Sequence, residues 1–178
     1  VPSDAPGIQV LANIGLGHEP WGEGMHAHVR YDGVRVPAEN LLGGAAFENK
    51  GFICLMEQLP WERLQIAIGA IAAAQAAIDQ TVAYVKERKV FGQPVANFQN
   101  TRYTLAELQT EVEALRALVY RATELFVAGQ DVTQLASMAK LKAGRLSREV
   151  ADKCLQFWGG MGYTWENRVS RLLRDGRL

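Results

Sequence analysis

A glutamate and an arginine stand side by side within an otherwise apolar helical pattern. Glu62 and Arg63 follow Pro60, and apolar residues recur at helical spacing between Leu55 and Val85. A proline inside a helix removes a backbone hydrogen bond, so we expect a bend or a local opening of the helix there. A carboxylate at such an irregularity, between apolar neighbours, is a candidate proton-transfer group. The same two residues also fit an ordinary surface ion pair, because charges mostly lie on solvated faces.

The composition is that of a globular protein with no charge bias. The 178 residues suit one compact domain, or one domain plus a fragment of another. Lys plus Arg and Asp plus Glu both number 19, so the formal net charge is zero and nucleic-acid or polybasic membrane binding is not expected. The longest apolar run, Ile66 to Ile78, is mostly alanine and is too short to span a bilayer, so we expect no membrane span.

The N-terminus and the cysteines indicate an intracellular location. The start, Val1 to Asp4, lacks a basic region of the secretory type and resembles the beginning of a fragment. Cys54 and Cys154 form no CxxC pair, and both fit reduced thiols in a helical core. We expect a cytoplasmic protein, or a mitochondrial matrix protein if the source is eukaryotic.

Residues 1–44 have strand-like patterning. His26 and His28 alternate with apolar residues, and Asp32-Gly33 is a turn signal before Val34 to Pro37. The pattern predicts a strand pair at the end of a truncated β-domain, followed by a linker. The two histidines have the spacing of metal ligands, but no third ligand lies nearby and we predict no metal site.

From residue 45 onward the pattern is helical. We predict helices over about 50–88, 98–128, 131–157 and 164–175, with Gly92 and Gly129 as the residues that end the first two. Short connections favour antiparallel neighbours. The fold class is therefore mainly α: residues 45–178 form an antiparallel four-helix bundle, and residues 1–44 are the β-domain remnant and linker.

The bundle carries none of the common metal or nucleotide motifs. A di-iron centre needs Glu-x-x-His pairs, yet all three histidines lie before residue 29. The glycines from Gly159 to Gly162 follow a helix and lack the G-x-G-x-x-G spacing that follows a strand. These patterns leave the reaction open.

Four segments taken together resemble the C-terminal half of acyl-CoA dehydrogenases, over nearly the whole chain. They are Val34 to Gly43, which resembles the family's link into the bundle; Arg88-x-x-Phe91-Gly92 with Phe98-Gln99; Gln156-x-x-Gly159-Gly160-x-Gly162-Tyr163-x-x-Glu166 with Arg171 and Asp175; and Leu59-x-x-Glu62-Arg63-Leu64. The stretch Ala45 to Asn49 departs from the family, which is usually shorter and richer in glycine there.

The resemblance implies an FAD enzyme that introduces a trans double bond between Cα and Cβ of an acyl-CoA thioester. It also implies electron transfer to an electron-transferring flavoprotein and assembly as a homodimer or homotetramer. In most members the catalytic base lies beyond the fourth helix, and this chain stops at Leu178 before that point. The long-chain and isovaleryl types carry the base in a Leu-x-x-Glu-Arg-Leu motif, so the resemblance makes Glu62 the base. We expect the isolated chain to be an inactive fragment.

The remaining site residues also follow from the resemblance. Trp61 and Arg63 are the expected substrate contacts. The expected FAD contacts, in a site shared between subunits, are Arg88, Phe91, Phe98, Gln99, Gln156, Phe157, Trp158, Gly159 and Gly160. An arginine suits a pyrophosphate, and paired glycines let backbone approach it. The alternative is that Arg88, Gly92 and the Gly159-Gly160 pair merely end helices.

Three other functions remain open at this stage. An acyl-CoA oxidase or a flavin monooxygenase would share the fold and differ in how the flavin is reoxidised. A helical module that serves only in oligomerisation would bind no flavin at all. The acyl chain length is not fixed by these motifs.

Overall fold

The computed structural model describes residues 1–17, 19 and 22–176. The chain divides into two compact units, Val1–Leu59 and Pro60–Leu178, and the division falls inside the first long helix. The expected domain boundary between residues 44 and 45 stays a prediction.

The first unit contains a two-stranded antiparallel sheet. Strand β1 (Ile8–Ile14) pairs with β2 (His26–Tyr31), with Ile8 opposite Tyr31 and a bulge between Val10 and Ala12. A strand pair was predicted, and β2 is one of its two strands. The predicted second strand was wrong, because residues 34–37 are not a strand and β1 pairs with β2 in their place.

A close backbone contact at Gly7 explains why β2 pairs with β1 in the first unit. The Asp32 amide donates to the Gly7 carbonyl at 2.9 Å, and a Cβ on Gly7 would lie 2.2 Å from the Asp32 carbonyl oxygen. Gly7 also has φ +93°, which favours glycine. The chain after β2 is therefore held against the start of β1 instead of turning back on itself.

Nowhere in residues 1–17, 19 and 22–176 do three His, Cys, Asp or Glu side chains form a group that could hold a metal ion.

Four α-helices account for most of the described chain. They are α1 (Gly51–Glu87), α2 (Gln99–Val127), α3 (Thr133–Phe157) and α4 (Arg168–Asp175), which confirms the predicted bundle. Helix α1 continues through Pro60 without a break. Gly92 does not cap α1; it lies with Phe91 in the turn of a small hairpin, β3 (Lys89–Val90) and β4 (Gln93–Pro94). Both turn residues have positive φ, as a two-residue hairpin turn requires.

One apolar core holds the second unit together. The apolar spacing of α2 predicts a buried stripe of Leu105, Leu108, Val112, Leu115, Val119, Ala122 and Phe126. The structure buries the first six and leaves Phe126 37% exposed. Helix α3 buries Ala139, Ala143, Leu146, Val150 and Cys154. Helix α1 buries Ala74, Ile78 and Val85 as predicted. It also buries Leu64, Ala67 and Ile71, whereas the predicted Ile66 is 52% exposed. Alanine and isoleucine occur all round this helix, so the sequence pattern alone did not determine which face packs.

Contacts between helices fix their directions. The start of α1 in this unit meets the end of α2 through Trp61 and Phe126, so these helices are antiparallel. Near the other end of α1, Thr81 accepts a hydrogen bond from Trp158, which follows α3. The C-terminal ends of α1 and α3 therefore lie together, so these two helices run in the same direction.

Polar side chains set the register of α1 against α2. The amides of Gln75 and Gln109 bond to each other in both directions at 3.0 Å. Arg116 also donates to the Gln75 side-chain oxygen at 2.9 Å. A sliding movement of one helix along the other would break all three bonds.

Among the described helices, α1 is long and apolar enough to cross a membrane, by length and composition alone. An 18-residue window of α1 has mean hydropathy 1.4, and 33% of that window is buried within the structure. This 18-residue window is longer than the alanine-rich run from Ile66 to Ile78. The core helix of a globular bundle passes the same test, so the finding is weak evidence for a span.

Gly129 ends α2 in a conformation that suits glycine. Its φ is +72°, its amide donates to the Phe126 carbonyl, and the Gln130 amide donates to the Leu125 carbonyl, both at 3.0 Å. This is the paired hydrogen-bond pattern of a left-handed helix end.

A matched pair of glycine substitutions tests this helix end. Gly129→Ala should lower the free energy of unfolding by about 1 kcal/mol, because an alanine in the left-handed region is strained. Gly129→Asn should lower it by less, because asparagine adopts the left-handed region more readily than alanine does. Urea unfolding followed by circular dichroism measures both, and equal effects of the two changes would contradict the assignment.

Candidate functional site

Glu62 lies on the exposed side of α1 with both neighbours anchored. Leu64 is fully buried, and residues two apart on a helix point in nearly opposite directions, so Glu62 is directed away from the core. The Trp61 ring stacks on Phe126 with centroids 4.8 Å apart and planes 14° from parallel. No residue in the described part of the chain bonds to the Glu62 carboxylate, and the anchored neighbours fix the direction in which this side chain leaves the helix.

Arg63 bonds to α3 and not to its glutamate neighbour. Its Nη1 donates to the Ser137 hydroxyl at 3.1 Å, and Ser137 in turn donates to the Thr133 carbonyl at 2.6 Å. Among the ion pairs of the described residues, none joins Glu62 to Arg63. The ordinary ion-pair interpretation of the two residues is therefore not what this structure contains.

The expected desolvation of Glu62 is wrong for this chain by itself. We expected Pro60 and Trp61 to shield the carboxylate, but Trp61 turns towards Phe126 and Glu62 is exposed. Any shielding of the carboxylate has to come from a bound substrate or from other parts of the assembly.

A second candidate site lies at the opposite end of α1. A cleft of about 470 Å³ is lined by Arg88 and by every residue of the 156–160 segment that was expected to bind FAD. The complete lining is Tyr84, Arg88, Val90, Val95, Gln156, Phe157, Trp158, Gly159, Gly160 and Met161. The sequence had not indicated Tyr84, Val90, Val95 or Met161, although Tyr84 is one helical turn before Arg88 and so shares its face.

The wall of the cleft is fixed by aromatic packing. Trp158 stacks on Tyr84 with centroids 4.1 Å apart and planes 11° from parallel, and its Nε1 donates to the Thr81 hydroxyl at 3.1 Å. Burial raises the pKa of the neighbouring Cys154 thiol to about 11, partly offset by a hydrogen bond with Thr81. Cys154 is therefore an inert core thiol at neutral pH.

Two glycines expose backbone at the rim of the cleft. A Cβ built on Gly159 or Gly160 would meet nothing within 4 Å, so a bound group can approach this backbone closely. Gly159 has φ +56°, which side chains other than glycine rarely adopt. A cation from Arg88, open backbone and aromatic walls together fit the pyrophosphate and flat rings of a dinucleotide.

The other expected FAD contacts lie outside this cleft. Phe91 is 96% exposed at the tip of the β3–β4 turn, with φ +51°. Phe98 is half-buried before α2, and Gln99 is the exposed first residue of that helix. Within one chain, Arg88 and the 156–160 segment lie together at the cleft, whereas Phe91, Phe98 and Gln99 are not part of its lining.

The chain belongs to the acyl-CoA dehydrogenase family. The sequence profile of the acyl-CoA dehydrogenase C-terminal domain matches residues 49–178. Cyclohexane-1-carbonyl-CoA dehydrogenase of Geobacter metallireducens is 39% identical over 100% of this chain and 46% of the relative. The mitochondrial long-chain specific acyl-CoA dehydrogenase of Sus scrofa is 42% identical over 85% of this chain and 35% of the relative.

A solved structure has the same fold. A probable acyl-CoA dehydrogenase from Mycobacterium abscessus superposes with a TM-score of 0.91 at 35% identity, covering 99% of this chain and 46% of that protein. Residues 49–178 therefore correspond to the C-terminal domain of the family, and the chain spans about half the length of the relatives it matches, or less.

Proposed function

We propose that the chain is the C-terminal part of an FAD-dependent acyl-CoA dehydrogenase with Glu62 as its base. The reaction removes hydrogen from Cα and Cβ of an acyl-CoA thioester and leaves a trans-2-enoyl-CoA. The observation that supports this best is the exposed Glu62 carboxylate, which forms no ion pair with any described residue and stands between two anchored neighbours.

The proposed chemistry assigns one task to each residue around Glu62. The Glu62 carboxylate accepts the α-proton, so an O–H bond forms as the Cα–H bond breaks. Trp61 presents an aromatic edge to the acyl chain. Arg63 uses one N–H for Ser137 and keeps other donors for the substrate, since a guanidinium carries five N–H groups. Bound FAD supplies the acceptor for the hydride that leaves Cβ.

The cleft at the other end of α1 is the proposed FAD contact. Arg88 would donate charge-assisted hydrogen bonds to the pyrophosphate, Gly159 and Gly160 would let it approach the backbone, and Gln156 would supply a further polar contact. Phe91, Phe98 and Gln99 would meet parts of the cofactor beyond the cleft.

The length of α1 supports a cofactor site shared between two subunits. From Glu62 to Glu87 the helix is about 38 Å long at ~1.5 Å per residue, which exceeds the length of one FAD molecule. The FAD held at Arg88 of one chain would therefore serve the Glu62 of another. A homodimer or homotetramer follows, and an apolar groove of about 370 Å³ between α1 and α3, lined by Gly69, Ala73 and Gly144 among others, would admit a close helix contact.

The proposed electron acceptor is an electron-transferring flavoprotein, as the family resemblance implies. The proposed location is the cytoplasm, or the mitochondrial matrix in a eukaryote, where both proteins would meet.

Anaerobic mixing of the flavin-loaded protein that carries this chain with a series of acyl-CoA thioesters tests the function. We expect bleaching of the flavin absorbance and release of a 2-enoyl-CoA, followed by reoxidation by electron-transferring flavoprotein and only slowly by oxygen. Fast reoxidation by oxygen would identify an oxidase instead. A protein that binds no flavin would leave only the oligomerisation module.

A further inference from the structure

We propose that Ser137 and Phe126 are positioning residues for the Glu62 carboxylate. Neither is near Glu62 in the sequence, and each contacts one of its two neighbours on α1. The inference rests on the proposed role of Glu62 as base.

The two contacts act on opposite sides of Glu62. Successive residues of a helix are about 100° apart, so Trp61 and Arg63 flank Glu62 on either side of the helix. The Phe126 ring holds Trp61, and the Ser137 hydroxyl holds Arg63. With Leu64 buried in the core, this part of α1 cannot rotate without breaking one of three contacts.

Ser137 has support of its own from the first turn of α3. Its hydroxyl donates to the Thr133 carbonyl, and the Thr133 amide and hydroxyl both bond to the Asp131 carboxylate, at 2.9 and 2.6 Å. The hydrogen bonds that Thr133 donates lower the pKa of Asp131, because they favour the charged carboxylate. A chain of hydrogen bonds thus runs from Asp131 to Arg63 and ends beside the proposed base.

The Arg63 contact also keeps a cation away from the base. Ser137 is a neutral partner, so it holds the guanidinium without adding a charge near Glu62. Once released, Arg63 has a flexible side chain next to the Glu62 carboxylate. A pairing between them would occupy the oxygen that must accept the α-proton.

Removing the Ser137 hydroxyl tests the proposal. Ser137→Ala should lower the rate of flavin reduction at saturating acyl-CoA about 10-fold, since small misplacements of catalytic groups have effects of this order or greater. Flavin content should change little, and the rate is measured at saturating acyl-CoA so that a change in the substrate contact of Arg63 does not affect it. Ser137→Thr keeps the hydroxyl and should restore the rate. Phe126→Ala should act in the same direction, with Phe126→Tyr restoring the stack.

Thr110→Ala is the matched control, because the Thr110 hydroxyl also donates to the carbonyl four residues earlier, at 2.8 Å, and lies exposed on α2 outside the proposed sites. Equal rates for Ser137→Ala and Thr110→Ala would overturn the inference, as would failure of Ser137→Thr to restore the rate. Glu62→Gln in the same assay separates the two proposals. A fast Glu62→Gln protein would refute the base itself, whereas a slow Glu62→Gln protein with a fast Ser137→Ala protein would refute only the positioning role.

Discussion

Replacement of Glu62 by glutamine should slow reduction of the bound flavin by acyl-CoA at least ~10²-fold, the usual scale for losing a general base. The amide keeps the size of the side chain and cannot accept the proton from Cα. Glu62 is exposed and makes no ion pair with Arg63, so the substitution should leave folding unchanged. Stopped-flow absorbance of the flavin measures the rate, and flavin content is determined on the same sample.

Glu124→Gln is a suitable control for this experiment. Glu124 is an exposed glutamate on α2 that pairs only loosely with Arg121, at 3.7 Å, so its change should leave flavin reduction at the unaltered rate. If Glu62→Gln and Glu124→Gln reduce their flavin equally fast, the base lies elsewhere in the protein. Glu62→Asp, which keeps the carboxylate but shortens its reach, should give an intermediate rate.

Replacement of Arg88 by alanine should weaken FAD binding by roughly 30-fold, equivalent to about 2 kcal/mol for one charge-assisted hydrogen bond. Arg88 lines the cleft beside Gly159 and Gly160, and it is the one charged residue among those that line it. The purified protein should therefore contain less flavin, and titration with FAD should show a raised Kd. Activity should return when excess FAD is added.

Arg121→Ala separates a specific effect from a general loss of positive charge. Arg121 is exposed on α2 and lies outside the cleft lining, so this variant should keep its flavin. Equal flavin content in Arg88→Ala and Arg121→Ala would mean that Arg88 merely ends α1. In that case the cleft would be a packing feature of the bundle.

The four helices could be predicted because their apolar spacing and end signals agree. The α2 stripe was correct except at Phe126, and the glycine at the end of α2 was correct, since both depend on residues close in sequence. The packing face of α1 was less certain, because alanines surround it. Strand β1 was missed because its residues, Ile8 to Ile14, do not alternate strictly and a bulge interrupts the pairing.

The candidate site was predictable only in part, for a related reason. Motifs identified Glu62 and Arg88, but the neighbours that give them their surroundings come from other helices. Ser137 is 74 residues from Arg63, and only the packing of α3 against α1 brings them together. Trp158 lines the cleft where it was expected to touch the cofactor, but the motif did not indicate that its ring nitrogen donates to Thr81.

Helix α1 connects the two candidate sites as one continuous element, and this makes the number of its residues matter as much as their identity. One residue inserted between Glu62 and Glu87 would lengthen the helix by about 1.5 Å and turn one end about 100° relative to the other. Glu62 would then point to a different side of the bundle while Arg88 kept its place. Exposed positions such as Gln65 and Lys86 are free to change in type, but insertions and deletions in this segment would be tolerated only in steps near whole numbers of turns.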